Sequence, residues 1–181
     1  RAEQALLEAN RRDVDATRSS GENAAFLDRL TLTPERIETM AQGVEQVATL
    51  PDPIGEVIAG WKRPNGLEIT QARVPIGVIL SIYESRPNVT ADSAALCLKT
   101  ANAVLLKSGS ESIHTSQVIA TVFRTATESA GLPPAAIQLV EGGRDATRAL
   151  LHRDDRIDVV IARGGEALKR TIIEESRIPV I

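Results

Sequence analysis

The chain has 181 residues, 43% of them hydrophobic, enough to build the core of one globular domain. Its 21 basic and 24 acidic residues are mixed along the sequence and leave a net charge of -3, with no basic field to favour nucleic acid, and no apolar run reaches the roughly 18 residues of a membrane-spanning helix. One cysteine, Cys97, excludes an internal disulfide and leaves too few soft ligands for a structural zinc site.

Up to about Ala48 the pattern is helical. Ala5, Leu6 and Ala9 recur at helical spacing, as do Phe26, Leu27 and Leu30. In TLTPERIETMAQGVEQVATLPDP, Thr33 is a cap, Pro34 suits the first helical position, Glu35 favours the positive helix end, and Pro51 and Pro53 stop the run. Two or three amphipathic helices lying across another unit are expected. The chain opens inside such a helix without an initiator methionine and stops on SRIPVI, a strand just begun, so a piece of a longer protein is expected. No signal-peptide pattern stands at its start, and a reducing cytoplasm fits the single cysteine.

Around Trp61 the texture changes. Asn65-Gly66, the commonest tight-hairpin dipeptide, is followed by near alternation at Leu67 and Ile69, predicting an exposed two-stranded or edge element before a core strand. From there strands and helices alternate. Strands are predicted near 77–83, 103–107, 136–140 and 157–161, and helices near 90–100, 112–130, 144–152 and 165–175. GVILSIY, AVLLK, AIQLV and IDVVIA are continuous apolar runs, as a sheet covered by helices on both faces requires. The fold class is α/β: an open, mostly parallel sheet with helices on both faces, preceded by N-terminal helices. Residues 1–62 are read as the helical segment packed on the α/β domain of residues 63–181. Gly131 followed by Pro133 closes the long helix before it.

Ligands of such sheets sit beyond the carboxyl ends of the strands. Lys107 ends a strand there, and Ser108, Gly109, Ser110, Glu111 and Ser112 offer hydroxyls, backbone and a helix start to a phosphate or ribose; an ordinary loop with Ser110 or Ser112 as a cap is the alternative. A second corner, Arg163, Gly164 and Gly165, would let a phosphate approach amides at a helix start, although it matches neither G-x-G-x-x-G nor the P-loop. In YESRPNVTADS, Arg86 suits an anionic group and Asn88 a developing oxyanion, while Asn88 or Thr90 as cap and Asp92 in the first turn give a purely structural reading. Cys97 lies mid-helix between Leu96 and Leu98 and reads as a small core residue, not a nucleophile. His114 and His152 stand alone near helix ends and read as surface or capping residues, and HRDDR (152–156) as a solvated turn.

RVPIGVILSIYESRPNVTADSAALCLKTANAVLLKSGSESI, GLPPAAIQLVE and IDVVIARGGEALKR together resemble the gamma-glutamyl phosphate reductases, also called glutamate-5-semialdehyde dehydrogenases, of the aldehyde dehydrogenase superfamily. The likeness is strongest from about Arg63 to Ile181. It implies NADPH-dependent reduction of gamma-glutamyl phosphate to glutamate-5-semialdehyde and phosphate in proline biosynthesis, through a cysteine thioester. It places Lys107 and Ser108 to Glu111 beside the adenosine ribose or its 2′-phosphate, Arg163, Gly164 and Gly165 near the pyrophosphate, and Arg86 and Asn88 opposite the reacting carbonyl. The nucleophilic cysteine is then expected after Ile181, and this piece alone is expected to be inactive. The same module occurs fused to a glutamate kinase in bifunctional pyrroline-carboxylate synthases. A non-catalytic α/β module that kept the fold is the alternative from another class. A homo-oligomer is expected, with the exposed hairpin edge as a pairing surface. Where the family commonly has glycine before Asn102 this chain has Ala101, which suggests a different turn at that helix end.

Overall fold

The structure, a computed structural model, describes residues 2–84 and 86–181. Arg1, and Ser85 within the YESRPNVT stretch, fall outside them. Three helices come first: α1 (Ala2–Ser19), α2 (Ala24–Leu30) and α3 (Pro34–Thr49). Short side-chain acceptors start the latter two. Asn23 Oδ1 accepts from Phe26 N at 2.9 Å, and Thr33 Oγ1 accepts from Arg36 N at 3.3 Å with Pro34 in the first turn. Leu6, Leu32 and Ile37 pack on Ala91 and Ile119. No described helix is long and apolar enough to cross a membrane.

An antiparallel hairpin follows, β1 (Val57–Lys62) and β2 (Glu68–Ala72). Its turn is not a two-residue Asn-Gly turn. Gly66 N donates to Arg63 O at 2.9 Å and Arg63 N to Leu67 O at 2.8 Å, leaving a three-residue loop. Pro64 presets the second turn position, which moves the left-handed residue to Gly66, at φ 88°. Every residue of β1 is exposed.

The main sheet is β3 (Val78–Tyr83), β4 (Ala103–Ser108), β5 (Ile137–Leu139) and β6 (Val159–Arg163), all parallel in the order β5-β4-β3-β6. The SRIPVI stretch runs along β6, with Val160 N donating to Pro179 O and Ile181 N to Val160 O. Between the strands lie α4 (Pro87–Lys99), α5 (Ile113–Ser129), α6 (Arg144–Leu151) and α7 (Glu166–Glu175). The pleat divides alternate side chains between two cores. Ile79, Tyr83, Val104 and Leu106 meet Val89, Ala94, Cys97 and Ala120 of α4 and α5, while Leu80, Ile82 and Val160 meet Leu151 and Ile172 of α6 and α7. Burial on both faces is the cause of the unbroken apolar runs.

The largest departures from the expected boundaries are at α4 and β6. The helix expected from about residue 90 starts at Pro87, whose missing N–H costs nothing at a first helical position. The last strand runs to Arg163 because its register pairs Ile79 with Val159 through to Tyr83 with Arg163.

The turn at Ala101 is also a correction. Alanine does not change it: Ala101 takes φ 54°, the only positive φ of a non-glycine among the described residues. Asn102 N donates to Cys97 O at 2.8 Å and Ala101 N to Leu98 O at 3.0 Å, the double closure that Gly131 and Leu132 make at the end of α5. A Cβ in this region costs about 1–2 kcal/mol, of which roughly 0.4–1 is returned by the stiffer unfolded chain. Ala101→Gly is therefore expected to stabilise the fold by about 0.5–1 kcal/mol, read as a raised urea midpoint; a lowered midpoint would refute the strain.

Candidate functional site

Leu105 joins the core under α6 and α7, and the pleat puts Lys107, two residues on, over the same face. There the carboxyl ends of the strands open into a cleft of about 740 Å³. Ile82, Leu151 and Ile172 form its apolar floor. Lys107, Ser108, Gly109, Ser110 and Glu111 form one wall, the start of α6 another, and Glu22 and Phe26 reach it from the N-terminal helices.

Lys107 is only 6% exposed, and its ammonium donates to Ser108 O at 3.1 Å. Burial lowers its pKa below the ordinary lysine value, and the nearby charge of Glu111 acts the other way. Glu111 folds back over Gly109, its carboxyl oxygens filling the space that a Cβ there would take. The Ser108 hydroxyl is buried and has no hydrogen-bond partner among the described residues. A buried lysine next to a buried hydroxyl without a partner makes this corner costly in polar groups.

The second corner meets the first through a residue that sequence reasoning missed. The exposed Glu84, directly after β3, reaches across to the start of α7, where its Oε2 accepts from Gly165 N at 3.0 Å. α7 has no side-chain cap of its own. Neighbouring strands β3 and β6 are where the strand order reverses, the usual place for a ligand crevice. An anionic group thus already occupies this helix start.

Arg86, Asn88, Arg163, Gly164 and Gly165 do not line the cleft. Asn88 Nδ2 donates to Asp92 Oδ2 at 3.3 Å. Burial raises the Asp92 pKa, while the charge of Arg163 and the Asn88 bond hold it down. The start of α4 and the end of β6 therefore gather Asn88 and Arg163 about Asp92, with Arg86 exposed at the start of α4. Cys97 is buried and its thiol is pushed up to about 11 by burial, which leaves it no thiolate at neutral pH. His114 lies in the first turn of α5 and His152 ends α6.

Also missed in the sequence were Gly142, Gly143, Arg144, Thr147 and Arg148, which line the cleft where α6 begins. The signal was there: EGGRDA is a second glycine pair running into an uncapped helix. Arg148 is held by Glu175 through bonds of 3.0 and 2.9 Å.

The model of the aldehyde dehydrogenase family matches residues 7–180. A gamma-glutamyl phosphate reductase of Anaeromyxobacter sp. (strain K) is 50% identical over 182 aligned positions, covering 100% of this chain and 43% of the relative. The crystal structure of the gamma-glutamyl phosphate reductase from Thermotoga maritima superposes with a TM-score of 0.95 at 38% identity, covering 98% of this chain and 43% of that one. The Saccharomyces cerevisiae protein of the same description gives 0.91 at 37% identity, with 98% and 46% covered. The chain spans less than half the length of the relatives it matches.

Proposed function

The chain belongs to the aldehyde dehydrogenase family, and on that premise we propose that it supplies the cofactor-binding part of an NADPH-dependent gamma-glutamyl phosphate reductase of proline biosynthesis. The observation that carries the reading is the corner at the end of β4, where the buried Lys107 and the turn from Ser108 to Glu111 line a cleft large enough for part of a dinucleotide. These donors suit the group. Lys107, Ser108 and Ser110 would hold the adenosine ribose or its 2′-phosphate, with Gly109 allowing close approach and Glu111 accepting from a ribose hydroxyl.

Arg163, Gly164 and Gly165 would hold the pyrophosphate at the start of α7. Bound NADPH supplies the hydride that reduces the acyl group. Arg86 and Asn88 would face the reacting carbonyl of gamma-glutamyl phosphate, Arg86 for the anionic group and Asn88 for the oxyanion. Cys97 takes no part, so the thiolate that forms the thioester belongs to another part of the full enzyme. Saturable NADPH binding by this chain tests the reading, and no binding would sink it.

Glu84 then competes with the pyrophosphate for the Gly165 amide. Glu84→Gln removes one like charge beside the phosphates and is expected to tighten NADPH binding about fivefold in a fluorescence titration. Weaker binding would place the pyrophosphate elsewhere. We propose further that copies of the protein pair through the exposed hairpin, where Val57, Ile58 and Trp61 are all in solvent. Trp61→Glu should then lower the mass measured by sedimentation equilibrium, and an unchanged mass removes the hairpin from any interface.

A further inference from the structure

The start of α5 is capped from a distant part of the chain. Ser112, directly before the helix, is fully buried, yet its hydroxyl makes no hydrogen bond among the described residues. Asp13 of α1 takes the cap instead. Only 2% exposed, it accepts from His114 N at 3.2 Å, Thr115 N at 2.8 Å and Thr115 Oγ1 at 2.6 Å. Asn10, one turn earlier and equally buried, donates to Thr115 Oγ1 at 3.3 Å and to Leu30 O at 2.8 Å, and accepts from Leu32 N at 2.7 Å.

A carboxyl group at this depth is tolerated because the first-turn amides of a helix need acceptors and its positive end favours an acidic one. Its place matters more than its strength. Only the short 3-10 turn Ser110–Ser112 separates this cap from the wall of the cleft, and Ser110 and Glu111 belong to both. Within the turn Gly109 N donates to Tyr83 O at 3.0 Å and Ser112 N to Gly109 O at 3.3 Å, so its backbone is tied to the end of β3 on one side and runs straight into the first turn of α5 on the other.

We infer that Asp13 is a positioning residue for the cleft: through the first turn of α5 it fixes the Ser108–Ser112 turn that carries the cofactor contacts, an assignment that rests on the proposed reading of that turn. It touches no ligand itself. The N-terminal helices are then part of the binding apparatus and not a cover laid over it, in keeping with Glu22 and Phe26 in the same cleft.

The test compares Asp13→Asn, which keeps the shape but loses an acceptor, with Ile178→Val, a mild change in the core under α6 and α7, a cluster that holds no residue of α1 or α5. Thr115→Val serves as a gentler variant that removes the hydroxyl, which donates to Asp13 and accepts from Asn10, while leaving the backbone amide bonds to Asp13 in place. At a temperature where all are folded, Asp13→Asn is expected to speed amide exchange at Gly109 and Ser112 about tenfold and to weaken NADPH binding by a similar factor. Thr115→Val should move both in the same direction by less, and Ile178→Val neither. Unchanged exchange and affinity in Asp13→Asn, with only the unfolding midpoint lowered, would overturn the inference and leave Asp13 as a docking residue for α1. Should the wild-type chain not bind NADPH, the reading of the cleft fails, while the exchange rates, measured without ligand, still decide whether Asp13 sets the turn.

Discussion

Lys107→Ala is expected to weaken NADPH binding by about 10- to 100-fold, the worth of a charge-assisted hydrogen bond in a partly desolvated site. NADH, without the 2′-phosphate, should lose less, so discrimination between the two falls. The effect is pH-dependent with a definite sign. Burial lowers the Lys107 pKa from the ordinary 10.5, so the charge is lost as pH rises through a value below that. Wild-type affinity for NADPH should therefore fall at high pH sooner than an exposed lysine would allow, and the alanine variant should lack that limb. Linkage gives the opposite slope for stability. Between the lowered folded pKa and the unfolded one the unfolded chain binds more protons, so this group's contribution to stability rises with pH in that window, and Lys107→Ala removes the rise. Titration of both nucleotides across pH is the measurement; equal affinities of wild type and variant would remove Lys107 from the site.

Gly77→Ala is expected to destabilise the fold by about 2–4 kcal/mol, combining backbone strain with a lost hydrogen bond. Gly77 has φ 126°, and a Cβ there would land on the carboxyl group of Asp158. Asp158 Oδ2 accepts from Val78 N at 2.7 Å, so moving it undoes the junction of β3 and β6. The same glycine donates to Asn102 Oδ1 at 2.8 Å, and its carbonyl accepts from Ala103 N at 2.9 Å, which brings the start of β4 into the same joint. Urea denaturation should give a lower midpoint with an unchanged slope. A loss under about 0.5 kcal/mol would mean that Asp158 swings away freely.

The sheet was legible because its strands are buried on both faces: Val78 to Tyr83 and Ala103 to Leu106 are apolar for the same reason that they are central. Lys107 could be read as a site residue because a charge that ends such a run has few structural reasons to be there. Glu84 could not, because its partner is Gly165, 81 residues away, and nothing local distinguishes it from any loop glutamate. Asp13 was hidden more deeply. On a helix crowded with Glu8, Arg11, Arg12 and Asp15 an aspartate reads as one more solvated charge, and only the packing of α1 on α5 turns it inward. Ala101 misled in the other direction. Hydrogen bonds from Asn102 and Ala101 outweigh a strain of about 1–2 kcal/mol, so the turn keeps its shape without the residue that best fits it.

The bond between Asp13 and Thr115 also sets an order of events during synthesis. The two residues are 102 positions apart, so α1 leaves the ribosome long before the helix it caps has been made. At about 5–20 residues per second that is a wait of roughly 5–20 s, far longer than a helix needs to form or fray. During the wait the inward side of α1 offers water Leu6, Leu7, Ala9 and Val14 beside the polar Asn10, Asp13 and Thr17. A docking surface that is half polar is poorly suited to seizing a wrong apolar partner, and the nascent helix can stay solvated until α5 arrives.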